Sequence, residues 1–221
     1  STFGLLLLLC GSRILLPGAA AAGVWPALAV GCVWAGGFFG RLTLQVHGVV
    51  YLFLATVSTG ALARAAAVLL GADATVNAEW AVWTGAATAL VCCVLAARGD
   101  SRPARISCLA VAGILVWLAA GIAASGLVAG YHAVMGPAAS HAYCATLRTT
   151  VLAGASLLLA WAGARWNNLE FSRLIYPVMA LGAYRLLMED MHQERKAALF
   201  LSLLVYGAAL TVLPRISRKS V

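Results

Sequence analysis

A chain of 221 residues in which 63% are apolar and 10% charged, with a mean hydropathy of +0.94, carries more hydrophobic surface than one soluble core buries. Soluble domains hold about 25% charged residues, whereas here charge is missing in whole blocks, 14–40, 42–63 and 106–147. The formal charge of +8 does not indicate nucleic acid, because no basic run is longer than Arg195-Lys196.

A helix needs about 20 apolar residues to cross roughly 30 Å of hydrocarbon. Dividing the chain at Pro, Gly and charge clusters predicts an all-α, polytopic transmembrane bundle of eight helices. The first span, 3–17, is shortened by Arg13 and Pro17. Its positive charge follows the leucine run, the reverse of a secretory signal. The chain opens on Ser1, as expected of a processed form or of the C-terminal part of a longer polytopic protein.

The second span, 24–40, ends beside Gly36-Gly37. The third, 43–70, opens on Gln45-Val46-His47-Gly48 and carries Arg64. The fourth and fifth are 79–97 and 106–131; in the latter Gly113, Gly121 and Gly126 let neighbouring helices approach closely. The sixth, 142–164, carries Arg148, the seventh, 169–188, carries Arg185, and the eighth is 197–214. No intervening stretch is long enough to fold by itself, so residues 1–221 are expected to form a single membrane domain.

Orientation follows from the basic residues. One side receives Arg41, Arg98, Arg102, Arg105, Arg165, Arg173, Arg215, Arg218 and Lys219, and the other only Arg195 and Lys196. The richer side is expected to be cytoplasmic, with both termini there, in a multi-pass protein of the cell membrane, best a bacterial inner membrane. The six cysteines show no CxxC pair and read as small hydrophobes.

Four arginines remain, Arg13, Arg64, Arg148 and Arg185, each one to two turns inside the external end of its span. His141, Cys144 and Arg148 follow an i, i+3, i+7 spacing, and Arg185, Glu189 and His192 an i, i+4, i+7 spacing, so each set lines one helical face. Asp73, Glu79, Asp190, Glu194 and His132 fall at the same level. Two readings fit. The arginines snorkel or pair with the rim carboxylates, or Arg13, Arg64, Arg148, Arg185, His141 and His192 form a site for an anion or an anionic lipid, since guanidinium groups hold phosphate and carboxylate bidentately.

His47 is a separate case, sharing a face with Tyr51 and Ser58. An imidazole beside Gly48 suits an interhelical hydrogen bond, the alternative being ligation of a haem or chlorophyll. A bis-histidine haem needs a second His at matching depth, and the other three lie toward the opposite side. No cofactor and no metal site is therefore expected. The acidic residues lie at helix ends or in loops, which leaves a buried carboxylate proton relay and intramembrane aspartyl proteolysis without candidates. A phosphate-binding glycine loop and HExxH are both missing.

Arg173-Leu174-Ile175-Tyr176-Pro177, then Arg185-Leu186-Leu187-Met188-Glu189-Asp190, a polar turn, and a last helix with Ser202 and Gly207 before Pro214-Arg215 close the chain. These last fifty residues resemble the closing helix pair of large, uncharacterised many-pass bacterial membrane proteins. The resemblance implies a helical bundle of unknown function and carries over no catalytic residue.

Three functions are thus in play. Transport or handling of an anionic lipid or other anion at the outer leaflet accounts for the one-leaflet arginines and for interruptions such as Pro17, Pro26 and Pro177. A structural or cofactor-holding subunit of a larger membrane complex accounts for the short loops. A lipid-modifying enzyme comes last, because no complete site is visible. The expected partners are membrane lipids and other membrane subunits, with no nucleic acid.

Overall fold

The computed structural model describes the chain apart from residues 1–3, 5–9, 13, 16–17, 72–79, 99–101, 137–139, 167–168, 189–195 and 218–221. Among the described residues all regular structure is helical: α1 (Gly18–Phe39), α2 (Leu42–Ser58), α3 (Ala61–Leu69), α4 (Trp80–Ala97), α5 (Arg102–Met135), α6 (His141–Trp166), α7 (Leu169–Met188) and α8 (Lys196–Ser217). Four stretches are long and apolar enough to cross a membrane, Trp80–Ala97, Ala104–Met135, His141–Trp166 and Lys196–Leu213, and α2 with α3 makes a fifth if that bent pair is one span. The protein is therefore a helical protein with membrane-spanning character. Helix α7 falls outside this set; Glu170, Arg173 and Arg185 interrupt its apolar stretch. The expected first span, 3–17, lies for the most part outside the described residues.

The expected continuous span 43–70 is corrected: it is broken into α2 and α3, which meet at 68°. Gly60 takes φ of +72°, a left-handed conformation that ends α2. A broken helix at membrane depth releases carbonyls that lipid cannot satisfy. At the break the Thr59 hydroxyl donates to the Thr56 carbonyl at 3.3 Å and the Gly60 amide to the Val57 carbonyl at 2.9 Å, while Thr56, Ser58 and Thr59 hydroxyls also bond back to carbonyls of the last turns of α2. Just beyond the break, Trp117 Nε1 donates to the Leu62 carbonyl at 3.2 Å.

The described chain divides into two compact units. The first comprises residues up to Ala63 and Glu79–Leu118. Its centre is the α1–α2 hairpin, against which α4 packs. Gly40, at φ +62°, closes the turn, and the Arg41 amide reaches back to the Gly36 carbonyl at 3.0 Å, a Schellman cap. The two helices cross at backbone distance. A Cβ on Gly48 would stand 2.6 Å from Val33 Cγ2 and 3.0 Å from the Ala29 carbonyl, and one on Gly36 would stand 2.5 Å from Gln45 Cγ. Trp25, Val33, Leu52, Val82 and Leu118 are among the buried side chains of this unit.

The second unit comprises Arg64–Ala78 and the chain from Ala119 onward. Within it α6 packs on both α7 and α8, and α7 on α8. Gly121 of α5 meets Ala65 of α3, where a Cβ would stand 2.6 Å from the Ala65 Cβ.

Candidate functional site

Among the described residues the most deeply buried charges lie in the second unit. Arg148 of α6 is 5% exposed and Arg185 of α7 is 1% exposed. Their relative height follows from the packing. Only residues 167 and 168 separate α6 from α7, so the packed pair runs antiparallel. A Cβ on Gly182 of α7 would stand 3.8 Å from Leu152 Cβ of α6, which fixes these two at one level. Arg185 lies three residues beyond Gly182 and Arg148 four residues before Leu152. In an antiparallel pair both displacements point to the same end, roughly 4.5 and 6 Å along the axis. The two guanidinium-bearing residues therefore share a layer at the last turn of α7, two turns inside the start of α6.

Helix α8 adds hydroxyls near this layer. Ser202 Oγ donates to Thr146 Oγ1 at 3.1 Å, and Thr146 Oγ1 in turn donates to the Ala198 carbonyl at 3.3 Å and the Ala142 carbonyl at 3.2 Å. Thr149, beside Arg148, is fully buried. One turn further inward the Tyr206 hydroxyl donates to the Met179 carbonyl at 2.7 Å, and its ring covers Gly182. The layer thus holds guanidinium, hydroxyl and carbonyl groups from three helices. Each guanidinium has interactions of its own; within them, Arg148 Nε and Arg185 Nε and Nη1 donate no hydrogen bond.

The other expected site residues take different places. His141 is exposed at the first residue of α6, two turns from Arg148, while Cys144 between them is buried. Arg64 is half-buried on α3, next to the Ala65 that Gly121 meets. Arg13, His192, Glu189, Asp190, Asp73, Glu79 and Glu194 lie outside the described residues. His132 is exposed, its Nδ1 2.8 Å from the Val128 carbonyl.

His47 is half-buried on α2, Tyr51 is buried and Ser58 is exposed beside the break. The inward position near the start of α2 belongs to Gln45, fully buried, whose Oε1 accepts from Ser107 Oγ of α5 at 3.1 Å. Its Nε2 has no partner among the described residues. This contact is one that sequence reasoning missed, as it missed the Thr146–Ser202 pair; both depend on how two helices are registered. Among the described residues no three His, Cys, Asp or Glu side chains are grouped as a metal site.

With the geometry in view, relatives offer no guide. No family model, no curated protein and no solved structure matches the chain. The functional reading rests on the residues alone.

Proposed function

We propose that this chain is a multi-pass protein of the bacterial inner membrane, with both termini cytoplasmic, that handles an anionic lipid at the outer end of α6, α7 and α8. The observation that carries the reading is the shared level of two buried guanidinium-bearing residues, Arg148 and Arg185, on adjacent packed helices. Two like charges at one level in a low-dielectric interior repel unless anions lie close. Placing Arg185 in the last turn of α7 and Arg148 two turns inside the start of α6 leaves both within reach of a headgroup phosphate at the interface, held by the planar forks of both arginines and by hydroxyls such as Thr149. The nine-to-two partition of basic residues supports an outer position for this end.

The test compares Arg148→Lys, Arg185→Lys and the double variant with the wild type by native mass spectrometry of bound phosphatidylglycerol. Lysine keeps the charge and loses the bidentate fork. Retained phosphatidylglycerol should fall about tenfold in the double variant, a loss of about 1.4 kcal/mol, with helicity by circular dichroism unchanged. Unchanged lipid retention together with a lowered melting temperature would instead make the pair a structural ion network of the bundle, and the reading would fail.

A further inference from the structure

The opposite chemistry, exposed charge, gathers at one end of the first unit. Arg41 follows the α1–α2 turn, Arg98 follows the last residue of α4, and Arg105 lies in the first turn of α5; all three are exposed. Two contacts bring them to the same end. The Gln45–Ser107 hydrogen bond joins α2 one turn after Arg41 to α5 just after Arg105. The Cys93 and Cys108 thiols lie against each other, which brings α4 just before Arg98 beside α5 just after Arg105.

Exposed aromatic rings lie next to these charges. Phe38 is 75% exposed and Phe39 63%, immediately before Gly40-Arg41. Trp34, one turn earlier and also exposed, stacks on Phe38 with centroids 6.0 Å apart, and Phe38 meets Phe39 edge-on at 5.1 Å. Ile106 is exposed beside Arg105. A solvent-facing surface does not hold such rings open to water, whereas a membrane interface places aromatic rings at headgroup depth with arginines just outside them. The first unit closes at its other end with exposed Trp80 and Trp83 at the start of α4. Helix α4 has 18 residues, so the Trp80 level and the arginine level stand roughly 25 Å apart, close to the thickness of a hydrocarbon core.

We propose that Arg41, Arg98 and Arg105, with the Trp34, Phe38 and Phe39 rings beneath them, form a binding surface for anionic phospholipid headgroups of the leaflet that this end of the first unit meets. The occupant follows from the two components together. Arginine forks take phosphate, and rings one to two turns deeper take the glycerol and upper acyl region, so a diacyl phosphate ester fits both where a free phosphate fits only the first. This surface belongs to the first unit and does not depend on the Arg148 and Arg185 reading.

The experiment places the full chain in phosphatidylcholine nanodiscs containing a minority of phosphatidylglycerol and measures lipid enrichment around the protein by native mass spectrometry. A basic residue at an anionic surface contributes about fivefold, so three give an enrichment on the order of 100-fold. The R41Q/R98Q/R105Q variant should lose most of that enrichment while keeping wild-type helicity. A W34L/F38L/F39L variant should keep the phosphatidylglycerol preference and bind both lipids more weakly. Wild-type enrichment in the arginine variant overturns the proposal. So does loss of phosphatidylglycerol from the wild type on adding inorganic phosphate, which would mark a plain anion site. A third contrary result is enrichment that disappears only when Arg148 and Arg185 are changed.

Discussion

At Gly121 a side chain has nowhere to go, since its Cβ would stand 2.6 Å from Ala65 Cβ and 2.9 Å from Ala65 Cα, both rigid parts of α3. Gly121→Leu should therefore destabilise the protein by about 1–3 kcal/mol through overpacking, read as a lower melting temperature in detergent. Gly130, on the same helix, has nothing within 4 Å of its Cβ position. Gly130→Leu should leave the melting temperature near that of the wild type, and equal behaviour of the two variants would remove the α3–α5 contact from the account. Polar pairs at this scale are worth less. Ser202→Ala deletes the donor to Thr146 Oγ1, and a single interhelical hydrogen bond in a membrane protein averages about 0.6 kcal/mol. A loss of several kcal/mol in that variant would show that Ser202 acts within a larger network than the bonds around Thr146 describe.

Helices were legible in the sequence where their ends carry charge, Pro or Gly. The limits expected for 79–97, 142–164, 169–188 and 197–214 fall within a few residues of α4, α6, α7 and α8 for that reason. The break between α2 and α3 was not legible, because Ser58-Thr59-Gly60 lies inside an apolar run and each residue is tolerated in a straight helix. What marks it is the left-handed Gly60, the bonds to the Thr56 and Val57 carbonyls, and the indole of Trp117, from a helix more than fifty residues away, on the Leu62 carbonyl. The level of Arg148 and Arg185 could be read from their distance to helix ends, but their burial could not, since it depends on which faces α6 and α7 turn to each other. The break makes its own prediction. Gly60→Ala forces an L-residue into the left-handed region and should cost about 1 kcal/mol, whereas Gly31→Ala, inside α1 with open space around its Cβ position, should be neutral or stabilising by up to about 1 kcal/mol. Melting curves of both variants check it; a destabilisation by Gly31→Ala and none by Gly60→Ala would mean that α2 and α3 form one straight helix in the folded protein.

At the scale of the whole molecule the question is which ends of the helices face which compartment. Helix α5 has 34 residues and so runs roughly 50 Å, longer than a hydrocarbon core, and must tilt or project beyond it. Its length alone therefore does not locate the interface. The basic residues do: Arg98, Arg102 and Arg105 flank its start, and the only titratable group in its last turn is His132. Translocating three guanidinium groups opposes the membrane potential and the anionic inner surface, which favours a cytoplasmic start of α5, as proposed. From that proposed orientation, connectivity expects the 71–79, 132–141 and 189–196 segments outside and both termini inside, provided the 3–17 stretch and the bent pair of α2 and α3 each cross once. Single cysteines on a background lacking the six native ones test this link by link. An impermeant maleimide added to intact cells should modify Thr75→Cys and Pro137→Cys and leave Ser101→Cys unmodified until the cells are opened. Labelling of position 101 alone from outside inverts the orientation and moves the Arg148 and Arg185 layer to the inner leaflet. Labelling of Arg41→Cys together with Thr75→Cys from outside has a different meaning: the α2–α3 pair would turn back within the membrane as a re-entrant segment, and the break at Thr59-Gly60 would be its tip.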